Sequence, residues 1–562
     1  MKKILAFVLA VATCALSFSF VGCGVRKQDE AIDTTKTQLY VGNMNYGFGD
    51  AWLNAAKTAF EERFKDYEFE PGKMGAQLFI DNGSQYGGNT LISTVGSTGM
   101  DVIFGESTAY NDFVNTGHFL DITDIVTEPL TEYGETRSIA DKLTPVFGEY
   151  LRMENGKYYA LPNYECNYRI IYNKGYFNEE KLFFKPDGTI GASLDDPLGS
   201  GPDGIAGNYD DGLPATFDQF FALCEEIKDI GDDPITWPGG VDSYRNVYLS
   251  EIYAALEGKQ QYELGYNFNG GTCKVVKFDT NGKAIFNDGI PVLEEVTITP
   301  DKGYEIYRQA GRYWAINFLE RIFENVYHTS GAVGGKDHIT TQADFINSRY
   351  SGSKIAMLFD GNFWTNEADD AFTACVVRYG DKASKEKAEF SVMPIPRPEG
   401  NSYSGKNSYS VDTNSLGFIY SGIPENRKAI AKKFLQFLYT DAQLIEYTQI
   451  VGTPRGCDVD FSDVMDTLPV YVQDSLKYRA DSDLSTAASH HPIYANSTTA
   501  FVAYRNGASA FLKDNTYNDA IMYLRGQNTN TLKSTDVAKE YFEGIRAYYT
   551  QGKWNDGYSK WF

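Results

Sequence analysis

Gly156-Lys-Tyr-Tyr-Ala-Leu-Pro-Asn-Tyr-Glu-Cys-Asn-Tyr-Arg-Ile-Ile-Tyr-Asn-Lys174 is the stretch that decides the fold. Two apolar runs rich in strand formers, Tyr158 to Leu161 and Tyr168 to Tyr172, flank Pro162 and a short polar segment. Proline has no N–H to give to a ladder, so the chain is expected to leave one strand there and enter another.

Upstream, strands alternate with helices. Thr37 to Met44 reads as a strand, and Leu53, Ala56, Phe60 and Phe64 recur at helical spacing in a segment that Asp50 is placed to cap. Leu78 to Asp81 and Met100 to Phe104 read as further strands, with a helix over residues 88–95 between them. Alternation of this kind predicts a parallel sheet with both faces covered, and ligands of such sheets bind beyond the carboxyl ends of the strands. That places Asn45, Tyr46, Phe48 and Trp52 after the first strand, and Glu106 after the third, near one candidate site. Downstream, Thr216-Phe-Asp-Gln219 is a capping box opening a helix, and Trp237 lies in the loop Thr236-Trp-Pro-Gly-Gly240. A helix over residues 244–256 is expected next, then short strands over 258–300 and a long helix from Tyr304 to Phe323. Lys354-Ile-Ala-Met-Leu-Phe-Asp-Gly-Asn-Phe-Trp364 is an apolar strand ending in two aromatics, and Ser415 to Tyr420 reads as a returning strand.

In this order the landmarks resemble the extracellular solute-binding proteins of ABC importers, especially the carbohydrate-binding, maltose-binding-protein-like group. They include the Gly156–Lys174 segment, Phe119-Leu-Asp-Ile-Thr-Asp124, the Lys354–Trp364 strand, Phe390 to Pro396, and Lys433-Phe-Leu-Gln-Phe-Leu438 followed by Gly452-Thr-Pro454. The resemblance implies an α/β, two-lobed periplasmic-binding-protein-like fold of type II. Each lobe would be a mostly parallel sheet flanked by helices, with the ligand cleft between them. Residues 37–160 and 415–465 would form the first lobe, and 161–414 and 466–562 the second, with insertions at about 183–212 and 258–300. It also implies a monomer that closes about a hinge on a sugar and presents it to ABC permease subunits, with no cofactor required. Candidate ligand residues are Tyr46, Trp52, Glu106, Tyr164, Glu165, Trp237, Phe363 and Trp364. The family presents an aromatic just after Gly361, a place Phe363 and Trp364 share. Trp237 reads equally as a stacking platform or a loop anchor.

The amino terminus reads as an export signal. Met1-Lys-Lys precedes an apolar run from Ile4 to about Leu16, too short to span a bilayer, and Phe20-Val-Gly-Cys23 follows. Residues 1–22 are expected to be removed, Cys23 to carry lipid and residues 24–36 to act as a flexible tether. A net charge of −24 argues against nucleic acid as a partner. The 40 Tyr, 36 Phe and 6 Trp suit stacking on sugar faces as well as core packing. Cys166, Cys224, Cys273, Cys375 and Cys457 are widely spaced and odd in number, and are expected to be buried free thiols.

Ser193 to Gly212 carries five Asp and five Gly. Calcium takes six to eight oxygens, so Asp195, Asp203, Asp210 and Asp211 are candidate ligands, and the stretch resembles calcium loops of secreted bacterial proteins. A solvated acidic turn is the other reading. No HExxH, GxSxG or P-loop pattern occurs, and five His offer no metal spacing. A secreted polysaccharide-degrading enzyme and a surface glycan-binding adhesin or sensor remain the alternatives to an importer component.

Overall fold

The computed structural model of the chain describes residues 31–45, 47–106, 110–350, 352–490 and 537–558. Cys23, Tyr46 and the signal and most of the tether therefore lie outside the described residues. Nine strands build the two main sheets. In chain order they are β1 (Thr37–Asn43), β2 (Ala76–Asn82), β3 (Val102–Gly105), β4 (Leu161–Pro162), β5 (Tyr168–Asn173), β6 (Asp233–Thr236), β7 (Ile355–Gly361), β8 (Phe390–Met393) and β9 (Leu416–Ile419).

The first sheet has the order β2-β1-β3-β9-β4. β1 pairs in parallel with β2 from Thr37↔Ala76 to Asn43↔Asn82 and with β3 from Val41↔Val102, while β9 returns antiparallel between β3 and β4. Pro162 sits on the edge strand, where its missing N–H disrupts no ladder. The strand expected over Tyr158–Leu161 is shorter than its pattern, because the N–H of Tyr158 is taken by Thr123 Oγ1 and its carbonyl by Ile122. The helix Ala51–Arg63 buries Leu53, Ala56 and Phe60 as its period requires, and Phe64 is buried just beyond it. Asp50 does not cap it through its side chain; the carboxylate instead accepts from Asn82 Nδ2 at 2.8 Å.

The second sheet has the order β8-β5-β7-β6. Here the expectation of a mostly parallel sheet needs correction. β6 and β7 are parallel, but β5 runs antiparallel to both neighbours because it enters directly from the other lobe. Thr216 and Gln219 form the capping box of the helix Phe217–Ile230, which ends at Gly231 with φ +97°. The helix expected to stop at Leu256 runs from Asp242 to Asn267, broken at Gly258, where φ is +74° and an added Cβ would lie 2.3 Å from the Tyr403 ring. The insertion after it therefore begins helical, and its strands, Thr272–Val276 against Leu293–Thr297, come later. The long helix expected next is a 3₁₀ segment, Pro300–Arg308, followed by an α-helix, Ala310–Glu324. All five cysteines in the described residues are free and buried.

Candidate functional site

The carboxyl ends of β1, β3 and β4 and the start of β9 point at the start of β5 and the ends of β6 and β7. Loops from both sheets thus converge in one place, as expected of open α/β sheets. From the first lobe, Phe48 lies on Tyr164 with ring centroids 3.6 Å apart and planes at 13°. From the second, Phe363 reaches across to Phe48 at 4.9 Å and stands edge-on to Tyr168 at 6.1 Å. Gly47, with φ +68°, permits this approach: a Cβ there would lie 2.7 Å from the Phe363 ring.

Carboxylates surround these rings. Glu106, at the end of β3, accepts from the Tyr164 hydroxyl and from Ser415 Oγ at 2.9 Å. Burial pushes its carboxyl well above the usual range, and the neighbouring Asp412 adds to the effect against the Ser415 bond. Asp412 itself is exposed, yet the protein packed around it raises its carboxyl too, against its bonds from Asn414. On the opposite wall Gln342 Nε2 donates to Asp360 Oδ2 at 3.0 Å and to Glu367 Oε2 at 2.6 Å, and the Tyr244 hydroxyl donates to the same Glu367 oxygen at 3.0 Å. Burial first, and the Glu367 charge second, hold Asp360 toward its protonated form. A wall of aromatic faces edged with carboxyl and amide groups can stack on apolar ring faces and accept hydroxyl protons.

The candidate residues divide. Glu106, Tyr164 and Phe363 meet at this place. Trp364 does not: it is fully buried among Phe345, Phe372, Phe390 and Tyr471 in a second-lobe core. Trp237 is 1% exposed and packs on Tyr248 and Phe323, because Gly239 and Gly240 let its loop close tightly on the backbone of Ala332 and Lys336. Trp52 is buried beneath the Arg455 guanidinium, 4.1 Å from its ring, against Phe104 and Tyr447. Glu165 lies in the segment between β4 and β5, where its carboxylate pairs with Arg479 Nε at 3.0 Å and accepts from the Tyr409 hydroxyl at 3.2 Å. Sequence reasoning did not single out Tyr168, Tyr244, Gln342, Glu367, Asp412 or Ser415. The only advance signal was position at strand ends, available for Tyr168 and Ser415.

Among the described residues three crossing segments join the lobes, and they are tied to one another. Asn362 Nδ2 donates to Glu165 O at 2.7 Å and Thr453 Oγ1 at 2.6 Å, Glu165 N–H donates to Pro454 O, and Asp412 N–H to Cys166 O. Glu251 supports the same region, accepting from Ser410 N–H at 2.9 Å. Burial pushes its carboxyl from 4.5 up to about 8, against the pull of that bond. The folded protein therefore keeps a proton that the unfolded chain loses between those values, and Glu251 makes stability fall as pH rises through that window. Glu251→Gln, which mimics the neutral acid, is expected to flatten the decline in urea midpoint between pH 5 and pH 8; an unchanged slope would show that the carboxyl titrates normally.

Solved structures share this architecture at low identity, which establishes the fold. A cyclic α-maltosyl-1,6-maltose binding protein from Arthrobacter globiformis superposes with TM-score 0.52 at 11% identity, over 92% of this chain and 99% of that one. A protein of xylan utilization by the thermophilic bacterium Caldanaerobius polysaccharolyticus gives 0.54 at 14%, over 91% and 99%. A chitin oligosaccharide binding protein gives 0.54 at 15%, over 93% and 99%. No relative with a curated description matches the chain in sequence. Residues 48–445 match the sequence model of the bacterial extracellular solute-binding proteins, and the chain belongs to that family.

Proposed function

We propose that this protein captures a sugar or oligosaccharide between its lobes by hinge closure and hands it to the membrane subunits of an ABC importer, held at the cell surface as a monomer by lipid on Cys23. The observation that carries the reading is the meeting of Phe48 from one lobe and Tyr164 of the first crossing segment with Phe363 and Tyr168 from the other lobe, among the carboxyls of Glu106, Asp412, Asp360 and Glu367. Aromatic faces suit the apolar faces of pyranose rings, and the carboxyls suit their hydroxyls. The structural neighbours named for maltosyl-maltose and chitin oligosaccharides support the same class of ligand. Trp52, Trp237 and Trp364 serve the cores, and Glu165 the hinge.

Thermal melting of residues 24–562 against mono- and oligosaccharides tests this. A ligand present at about 100 times its Kd stabilises by roughly 2.7 kcal/mol, a shift of several degrees at most in a chain this long. One sugar is expected to raise the midpoint and to be recovered unchanged. Consumption of that sugar would overturn the importer reading in favour of a hydrolase, and a flat response across the panel would overturn the ligand class.

A further inference from the structure

Among the described residues no three His, Cys, Asp or Glu gather as a group that could hold a metal ion, so Asp195, Asp203, Asp210 and Asp211 do not form the calcium shell expected of them. Their loop is bonded within itself. Asp203 accepts from Ile205 N–H at 2.7 Å and from Asn208 Nδ2 at 2.6 Å, and Asp211 from Gly207 N–H at 2.7 Å.

In the cleft, the aromatic faces cover one another. Phe48 and Tyr164 are each 5% exposed and Phe363 is 2% exposed. Phe48 is the ring between the other two: it lies face-on over Tyr164, centroids 3.6 Å apart, and meets Phe363 of the opposite lobe at 4.9 Å. At 3.6 Å two stacked rings are already in van der Waals contact, so no other ring fits between them. The Tyr164 ring is held where it is, because its hydroxyl donates to Glu106, which also accepts from Ser415 Oγ at 2.9 Å. Phe48 is placed differently. It sits between Gly47 and Gly49, with φ values of +68° and +73°, and among the described residues no hydrogen bond holds any of the three. The ends of this span are fixed, since Asn43 Nδ2 donates to Asn82 Oδ1 at 2.9 Å and Asn82 Nδ2 to Asp50 Oδ2 at 2.8 Å. A Cβ at Gly49 would meet nothing within 4 Å, so glycine serves the backbone there and not a shortage of room. An apolar ring on such a span can swing off Tyr164 without disturbing β1 or the helix Ala51–Arg63.

We propose that the covered face of Tyr164 is the subsite for one pyranose ring of the ligand, and that Phe48 fills it in the ligand-free protein and leaves as the sugar enters. Resting on the sugar-binding reading, this gives the two rings opposite roles: Tyr164 holds the ligand and Phe48 competes with it. Only molecules with the phenyl ring displaced can bind, so the contact lowers the apparent affinity by the fraction of them that are open. It also selects the ligand. A solute that offers hydroxyls alone gains nothing on an aromatic face, whereas a pyranose with an apolar face replaces the stacking that Phe48 gives up.

The probe is the sugar that raises the melting midpoint of residues 24–562. If no sugar does so, the sugar-binding reading falls and this proposal with it; once one binds, the roles of Tyr164 and Phe48 are decided separately by calorimetric titration and by fluorine NMR of para-fluorophenylalanine placed at position 48 alone. Phe48→Ala is expected to bind that sugar several-fold more tightly than the parent, and Tyr164→Ala to bind it much more weakly. The fluorine resonance, shifted by the Tyr164 ring in the free protein, is expected to move toward the value of a solvent-exposed phenyl ring at saturation and to become sensitive to exchange of H₂O for D₂O. Should Phe48→Ala fail to fold, the fluorine measurement on the full ring decides alone. Phe48→Ala binding more weakly or with unchanged affinity, Tyr164→Ala binding undiminished, or a fluorine resonance that stays in place at saturation would each overturn the proposal while leaving sugar binding itself standing.

Discussion

Trp364→Ala is expected to lower the unfolding free energy by about 3–5 kcal/mol, the cost of truncating a large buried aromatic, without changing the ligand affinity of the molecules that fold. Its indole has no exposure and is held edge-on by Phe390 at 5.2 Å and Tyr471 at 5.7 Å, with Phe345 and Phe372 completing the cage. Four aromatic walls fixed by different elements cannot collapse into the vacated volume, so most of the cavity persists. Phe363→Ala, one residue earlier, is expected to weaken ligand binding as well as stability, because its ring is also buried. Its ring contacts are with Phe48 across the lobe boundary and with Tyr168 at the start of β5. Losing a central aromatic from a desolvated site costs about 2 kcal/mol of binding, roughly 30-fold in Kd. Urea unfolding and calorimetric titration with the sugar that raises the melting midpoint measure both quantities on both variants. If Trp364→Ala weakened binding and Phe363→Ala left it unchanged, the cleft would have to be lined by the other face of this segment.

The difference between these two neighbours also marks how far the sequence could be read. The first lobe was legible because its evidence is local: strand, helix and strand follow one another, and Leu53, Ala56 and Phe60 face the sheet because their spacing leaves no other choice. The crossing at Pro162 was legible for the same reason. Candidate residues on strand ends, Glu106 above all, came with the topology. Which aromatics lie buried in the cores was not legible, since a tryptophan beside a glycine-rich loop looks the same in sequence whether the loop opens to water or closes. Trp237 turned inward because Gly240 N–H bonds Lys336 O at 2.8 Å, nearly a hundred positions away in the chain. The Asp360–Glu367–Gln342–Tyr244 cluster gathers side chains from separate elements, and its residues show no shared spacing. The ion pair of Glu165 was not legible for a related reason: a carboxylate at the crossing shows no partner in the sequence, and Arg479 lies 314 residues further on.

That pair supports the second large effect. Glu165→Ala is expected to destabilise the protein by about 3 kcal/mol, near the lower end of what breaking one side of a buried ion pair costs. The carboxylate is 1% exposed and the Arg479 side chain 12%, so the guanidinium left behind is largely desolvated, although Asp458 still answers it at 2.9 Å from a more exposed position. The Tyr409 hydroxyl loses its acceptor at the same time. The backbone bonds of the crossing segment, Glu165 N–H to Pro454 O and Asn362 Nδ2 to Glu165 O, do not depend on the side chain and are expected to survive. The loss should therefore come from the stranded charge rather than from an unravelled hinge. Two consequences separate these causes. Removing both partners, as Glu165→Met with Arg479→Met, should cost clearly less than the sum of the single changes, because no charge remains stranded. Asn362→Ala should cost about as much with Glu165 intact as in the Glu165→Ala background, since it acts on the backbone ties alone. Urea unfolding of this set decides the matter. Strict additivity of Glu165 and Arg479 would mean that water and Asp458 already satisfy the guanidinium and that the crossing segments are held together without the ion pair.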